Sequence, residues 1–148
     1  FAMGISGAPA RVNIINYVTI ATTGNASDFG DLTTARMPSG TGSNATRGLF
    51  GGGETASAGT NTIDFITIAT VGSAVDFGDA AYTNANNQAG GCASPTRVVF
   101  GGGATPAGGN RDDMCYVETM TTGNAVDFGN LSVARQYAAG LSNAHGGL

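Results

Sequence analysis

The chain has 148 residues, enough to bury one sizeable core, and only 11% of them are charged, against about 25% in an ordinary globular domain. Six arginines, no lysine and ten acidic residues give a net charge of −4, which leaves no basic stripe for a nucleic acid. Hydrophobic residues make up 41%, and no apolar run approaches the roughly 18 residues that cross a bilayer, so the composition fits a folded, weakly charged β protein without a membrane span.

In chain order, the first strong element is YVTIATTGNASDFGDL at Tyr17 to Leu32. Its Thr-Gly-Asn-Ala stretch at 23–26 carries turn chemistry, because Gly and Asn tolerate positive φ. Leu32 to Arg36 reads LTTAR, and a weak strand follows near 37–42. Thr46 to Gly53 (TRGLFGGG) predicts a short strand at Leu49–Phe50 whose glycines let backbones approach closely and start a flexible tip. Ile63 to Ile68 is β-branched and aromatic without a 3.6-residue period. It is expected to be the longest strand, buried on both faces, with Phe65 in the core. Val75 to Asp79 predicts the next strand, followed by weaker ones near 85–92 and 136–141. No stretch predicts a helix.

The elements recur. FITIATVGSAVDFGDA at Phe65 to Ala80 and YVETMTTGNAVDFGNL at Tyr116 to Leu131 repeat the first block, in steps of 48 residues (Asp28 to Asp76) and 51 (Asp76 to Asp127). Thr96 to Gly103 (TRVVFGGG) repeats Thr46 to Gly53, and Leu131 to Arg135 repeats Leu32 to Arg36. The chain is thus one array, 1–148, of three tandem four-stranded units of about 49 residues, at 1–49, 50–99 and 100–148. Four short strands in such a period is the pattern of a propeller blade.

The order of glycine pair, aromatic strand, turn, second aromatic, Leu and Ala-Arg resembles the kelch repeat of galactose-oxidase-like β-propellers, of the type seen in phage and other viral surface proteins. Gly51-Gly52 and Gly101-Gly102 match its double glycine, and in the first copy Gly4 alone remains. Tyr17, Phe65 and Tyr116 match its tyrosine. Phe29, Phe77 and Phe128 stand where it has tryptophan, which this chain lacks, and Arg36 and Arg135 match its arginine, replaced in the middle copy by Asn84. The resemblance implies an all-β fold of propeller blades that are part of a larger ring or assembly.

Chemistry is sparse. The Asp28/Asp31 and Asp76/Asp79 pairs suggest a calcium loop, but such loops need alternating oxygen ligands over a longer stretch, and Asn130 breaks the pattern. Asp28, Asp76 and Asp127 are therefore expected to be structural, Asp28 and Asp127 taking turn amides or pairing with Arg36 and Arg135, two arginines expected to be buried on backbone carbonyls or an Asp. His145 is the only histidine, too few for a copper site, and a Ser-His-Asp arrangement could use no other. No catalytic residue, metal or cofactor is expected. Cys92 and Cys115 are too few for a disulfide framework, and a buried free thiol fits them best, with a single bridge open.

The expected function is a non-catalytic recognition or structural module of a virion or extracellular surface protein, of tail-fibre or appendage type, meeting a cell-surface glycan or receptor. An intracellular kelch-type scaffold for protein partners is the alternative. Binding is expected at the divergent tips after the glycines, with Glu54, Arg111, Asp112 and Asp113 as contacts. Phe1 aligns with Phe50 and Phe100, so the chain holds three periods, fewer than the four to eight blades of a propeller. Completion by self-association, by a protein partner or by further repeats is expected.

Overall fold

The computed structural model describes residues 11–142, those at 84–88 by backbone alone, so His145 and Phe1 lie outside the described residues. It is all-β, with nine strands and no helix among the described residues, hence no helix long and apolar enough to cross a membrane. The strands are β1 (Ile14–Tyr17), β2 (Ser27–Asp31), β3 (Gly40–Ser43), β4 (Arg47–Glu54), β5 (Gly59–Thr67), β6 (Val75–Ala93), β7 (Arg97–Ala104), β8 (Arg111–Glu118) and β9 (Val126–Arg135). All pairing is between sequence neighbours and antiparallel.

β1 and β2 form a pair of their own, and β3 to β9 form an open run of seven. That run is two four-stranded ladders sharing one strand. The first part of β6 pairs with β5 (Phe65↔Val75 through Thr60↔Asn84), and its later part pairs with β7 (Ala85↔Ala104 through Ala93↔Val98). The expected longest strand is therefore overturned. β6 runs 19 residues because it passes from one ladder into the next, whereas β5 has nine.

Three further expectations change. Phe65 is half-buried at the margin of the core rather than inside it, with the Arg47 guanidinium over its ring, 4.3 Å from the centroid. The triple glycines do not open the tips. Gly51–Gly53 lie buried inside β4, whose bulge falls between Gly51 and Gly53, and the hairpin turns only at 55–58. Residues 136–141 form no strand, and Tyr137 sits at φ 58°. Its counterparts, β3 and the later part of β6, each pair with the glycine-rich strand that follows them, and among the described residues none follows 141.

Both core clusters span successive copies. One cluster joins Ile15, Phe29 and Leu32 to Phe50, Ile66 and Ala74, and the other joins Leu49, Ile63, Phe77 and Ala80 to Val98, Phe100, Cys115 and Val117. Glycine makes this approach possible. A Cβ on Gly51 would fall 2.9 Å from the Phe100 ring, and one on Gly30 (φ 143°) would fall 2.5 Å from the Gly72 backbone. Burying each such Phe contributes about 1.5–3 kcal/mol, so a unit alone would forfeit most of its stability.

Candidate functional site

The most buried polar constellation is built around Arg36, just before β3. Sequence reasoning expected its partner in the Asp-Phe-Gly-Asp turn, eight residues back. The partner is instead Asp64 of β5, with Arg36 Nη1 donating to Asp64 Oδ2 at 2.7 Å and both side chains fully buried. Arg36 Nε donates to the Gly52 carbonyl at 3.0 Å, and Nη2 donates to the carbonyls of Phe50 at 3.1 Å and Thr62 at 3.4 Å. Asp64 also accepts from the Thr33 amide at 3.1 Å and the Thr33 hydroxyl at 2.7 Å. A buried ion pair whose remaining lone pairs and N–H groups are taken up in this way is a clamp between strands, not a reactive pair. Asp64 was legible: one carboxylate inside an apolar strand expected to be buried requires a cationic partner.

One unit later the clamp changes chemistry. The Tyr82 hydroxyl donates to the carbonyls of Phe100 at 3.2 Å and Asp113 at 2.9 Å. Cys115, one unit on from Asp64, meets the Ala81 backbone and the Tyr82 side chain. Burial first, then the nearby Cys115, drives the Tyr82 hydroxyl well above its ordinary range. Burial likewise pushes the Cys115 thiol up. Both groups stay protonated near neutrality. Both cysteines are free, Cys115 buried and Cys92 half-buried, so no bridge joins them.

Arg135 does not repeat Arg36. It is exposed, and its Nε donates at 3.2 Å to the carbonyl of Val133, two residues back. The reason is geometric: Arg36 is buried by carbonyls of the copy that follows it, and among the described residues no copy follows Arg135. Asp28 and Asp127 each accept the amide two residues on, Gly30 at 3.1 Å and Gly129 at 3.4 Å, and Asp76 is exposed on β6. Neither pairs with an arginine through a described bond.

The four expected tip contacts lie on strands, not tips. Glu54 ends β4 and accepts from Arg11 Nη2 at 3.1 Å. Arg111, Asp112 and Asp113 all belong to β8, where Arg111 Nη1 pairs with Asp113 at 2.9 Å and the guanidinium lies 4.9 Å over the Tyr82 ring. The tips themselves are the turns at 55–58 and 105–109, where Thr55 Oγ1 accepts the Ala58 amide at 3.1 Å and Thr105 Oγ1 accepts the Gly109 amide at 3.0 Å. At the opposite end, Arg47 lies over Phe65, which meets Phe77 edge to face, and the arrangement repeats with Arg97 over Tyr116 edge to face with Phe128. Sequence reasoning missed these arginine–aromatic stacks, although both arginines follow a Thr at the same repeat position. No protein-family model and no curated protein matches this chain.

Proposed function

We propose that the chain is a non-catalytic recognition and structural module, a run of kelch-like propeller blades from a virion or extracellular surface protein, binding a cell-surface glycan or receptor through its hairpin tips. One observation carries this reading. The scaffold repeats from copy to copy in strands, stacks and interface bonds, while the exposed tips at 55–58 and 105–109 differ (Thr-Ala-Ser-Ala against Thr-Pro-Ala-Gly-Gly). Neutral, small-residue tips on a repeated frame suit neutral ligands such as sugars more than acidic or basic ones. The fully buried pair Arg36 and Asp64 is held by hydrogen bonds to neighbouring strands and supports a frame rather than a reaction.

The test is glycan-array binding by the whole chain, compared with variants in which residues 105–109 or 55–58 are replaced by the other tip. Retained stability with altered or lost glycan selectivity supports the reading. Binding that ignores both exchanges overturns the role of the tips.

A further inference from the structure

The two interfaces between successive copies share one set of turn-to-strand hydrogen bonds, although the clamps beside them differ. The Gly72 amide donates to the Phe29 carbonyl and the Gly123 amide to the Phe77 carbonyl, both at 2.8 Å. Ala74 and Ala125 donate to the Asp31 and Asp79 carbonyls, both at 2.7 Å. In return the Asp31 amide donates to Ser73 Oγ at 3.3 Å, and the Asp79 amide to Asn124 Oδ1 at 3.0 Å. Phe29 and Phe77 are 3% and 2% exposed, and the residues that cover them from the next copy include Ile66 at 2% and Val117 at 3%.

Among the described residues, each half of this interface stands open once, at opposite ends of the array. Phe128, the third member of the Phe29–Phe77 series, is 49% exposed. Gly129, with φ 121°, has no atom within 4 Å of an added Cβ, where Gly30 and Gly78 press on the next copy's turn. At the other end Val18, at the position of Ile66 and Val117, is 52% exposed. Gly24, Asn25 and Ala26, at the positions of Gly72, Ser73 and Ala74, are exposed too. A groove of about 390 Å³ lined by Gly90, Cys92 and Gly101 also opens beside β9. These residues stand at the positions of Gly40, Gly42 and Gly51, over which Phe100 and Val98 pack one copy earlier.

We infer that a second copy of this chain covers the Phe128 face, docking head to tail with its Val18 end. The polarity dictates the direction. One end offers carbonyls where the interface uses carbonyls, and the other offers amides where it uses amides, so two like ends would set acceptor against acceptor. The register follows from the internal interfaces: the partner's Gly24 and Ala26 amides donate to the Phe128 and Asn130 carbonyls, and the Asn130 amide donates to the partner's Asn25 Oδ1. Arg135 then turns from solvent towards the partner's Asn16, which holds the position of Asp64. Such a contact is heterologous, closing into a ring if the rotation allows and otherwise propagating. The inference rests on the blade scaffold of the proposed function and extends it to the assembled state, and it fails separately, since glycan binding and self-association are read by different measurements.

Sedimentation of the 148-residue chain over a wide concentration range is expected to show assemblies of two or more chains, and a single-chain species throughout overturns the inference. Phe128→Arg and Val18→Arg, both at exposed positions, each leave one working end and are expected to sediment as single chains with unchanged β-type circular dichroism. Mixing the two variants is expected to give a species of two chains and no larger one, because one contributes the working head and the other the working tail. Absence of that species, or association that persists in either variant alone, overturns the head-to-tail register. Asn16→Asp supplies the carboxylate that Arg36 meets in Asp64 and is expected to tighten association about tenfold or more, an effect no loss of folding can mimic. No tightening overturns the docking of Arg135.

Discussion

The Tyr82 hydroxyl and the Arg36 guanidinium sit at the same seam in successive units. Arg36 Nη2 donates to the carbonyls of Phe50 and Thr62, and Tyr82 donates to those of Phe100 and Asp113, the same two repeat positions one unit on. The partner changes in step, since Asp64 faces the cation and Cys115 faces the neutral phenol. A buried cation without a carboxylate, or the reverse, would be strongly unfavourable, so the two substitutions make sense only together. The second clamp therefore keeps a donor at the two shared carbonyl positions while removing both charges.

Arg36→Ala is expected to destabilise the chain by about 3–5 kcal/mol, because it strands a fully buried Asp64 and the carbonyls of Gly52 and Phe50. Arg135→Ala is expected to stay within about 0.5 kcal/mol, since Arg135 is exposed and bonded only to a nearby carbonyl. Urea unfolding of dilute protein measures both, and equal losses would refute the contrast.

Tyr82→Phe keeps the ring under Arg111 but removes the donor to two carbonyls, and is expected to cost about 1–3 kcal/mol. Asp64→Ala should cost more than Cys115→Ala, because only the first leaves a buried arginine unpaired. Denaturant midpoints at matched slopes read these differences.

Much of the frame was legible in the sequence. The all-β character follows from the recurrence of Tyr17–Leu32 and Thr46–Gly53, since period-free β-branched runs bounded by Gly and Asn have few other solutions. The four strands expected in every unit are met only in part, with β1 and β2 a pair of their own and no strand at 136–141. The long β6 was not legible, because one strand serving two ladders carries no local mark. Arg135 was misjudged for a related reason: an identical local sequence at the last copy lacks the neighbour that buries Arg36. Arg36 was read correctly as buried but paired with the wrong carboxylate. Local spacing favoured Asp28, whereas the fold brings Asp64 across 28 residues.

Stability should fall at alkaline pH through the second clamp. The Tyr82 and Cys115 groups both titrate higher in the folded chain than their ordinary 10.0 and 9.0. In the unfolded chain they release protons first, so their contribution is fully present below about pH 9 and is lost as pH rises further. Each group that stays protonated in the fold lowers stability by up to about 1.4 kcal/mol per pH unit. Unfolding curves between neutrality and strong alkali should show this slope, and Tyr82→Phe should flatten it above pH 10. An unchanged slope in that variant would place the titration elsewhere.

The glycines after the second aromatic separate backbone strain from close approach. Gly78 and Gly129 hold the same repeat position at φ 142° and 121°, a region where a side chain is strained by about 1–3 kcal/mol. Only Gly78 has a neighbour: a Cβ there would fall 2.5 Å from the Gly123 carbonyl carbon, while one on Gly129 meets nothing within 4 Å. Gly129→Ala should therefore cost the strain alone, and Gly78→Ala the strain plus about 1–3 kcal/mol for prising the two copies apart. Thermal unfolding of dilute protein should place the melting temperature of Gly78→Ala clearly below that of Gly129→Ala. If the two coincide, the close approach at Gly123 contributes nothing to holding the second and third copies together. The same comparison made at concentrations where chains associate should narrow the gap, because a docked partner sets its own Gly24 turn against Gly129.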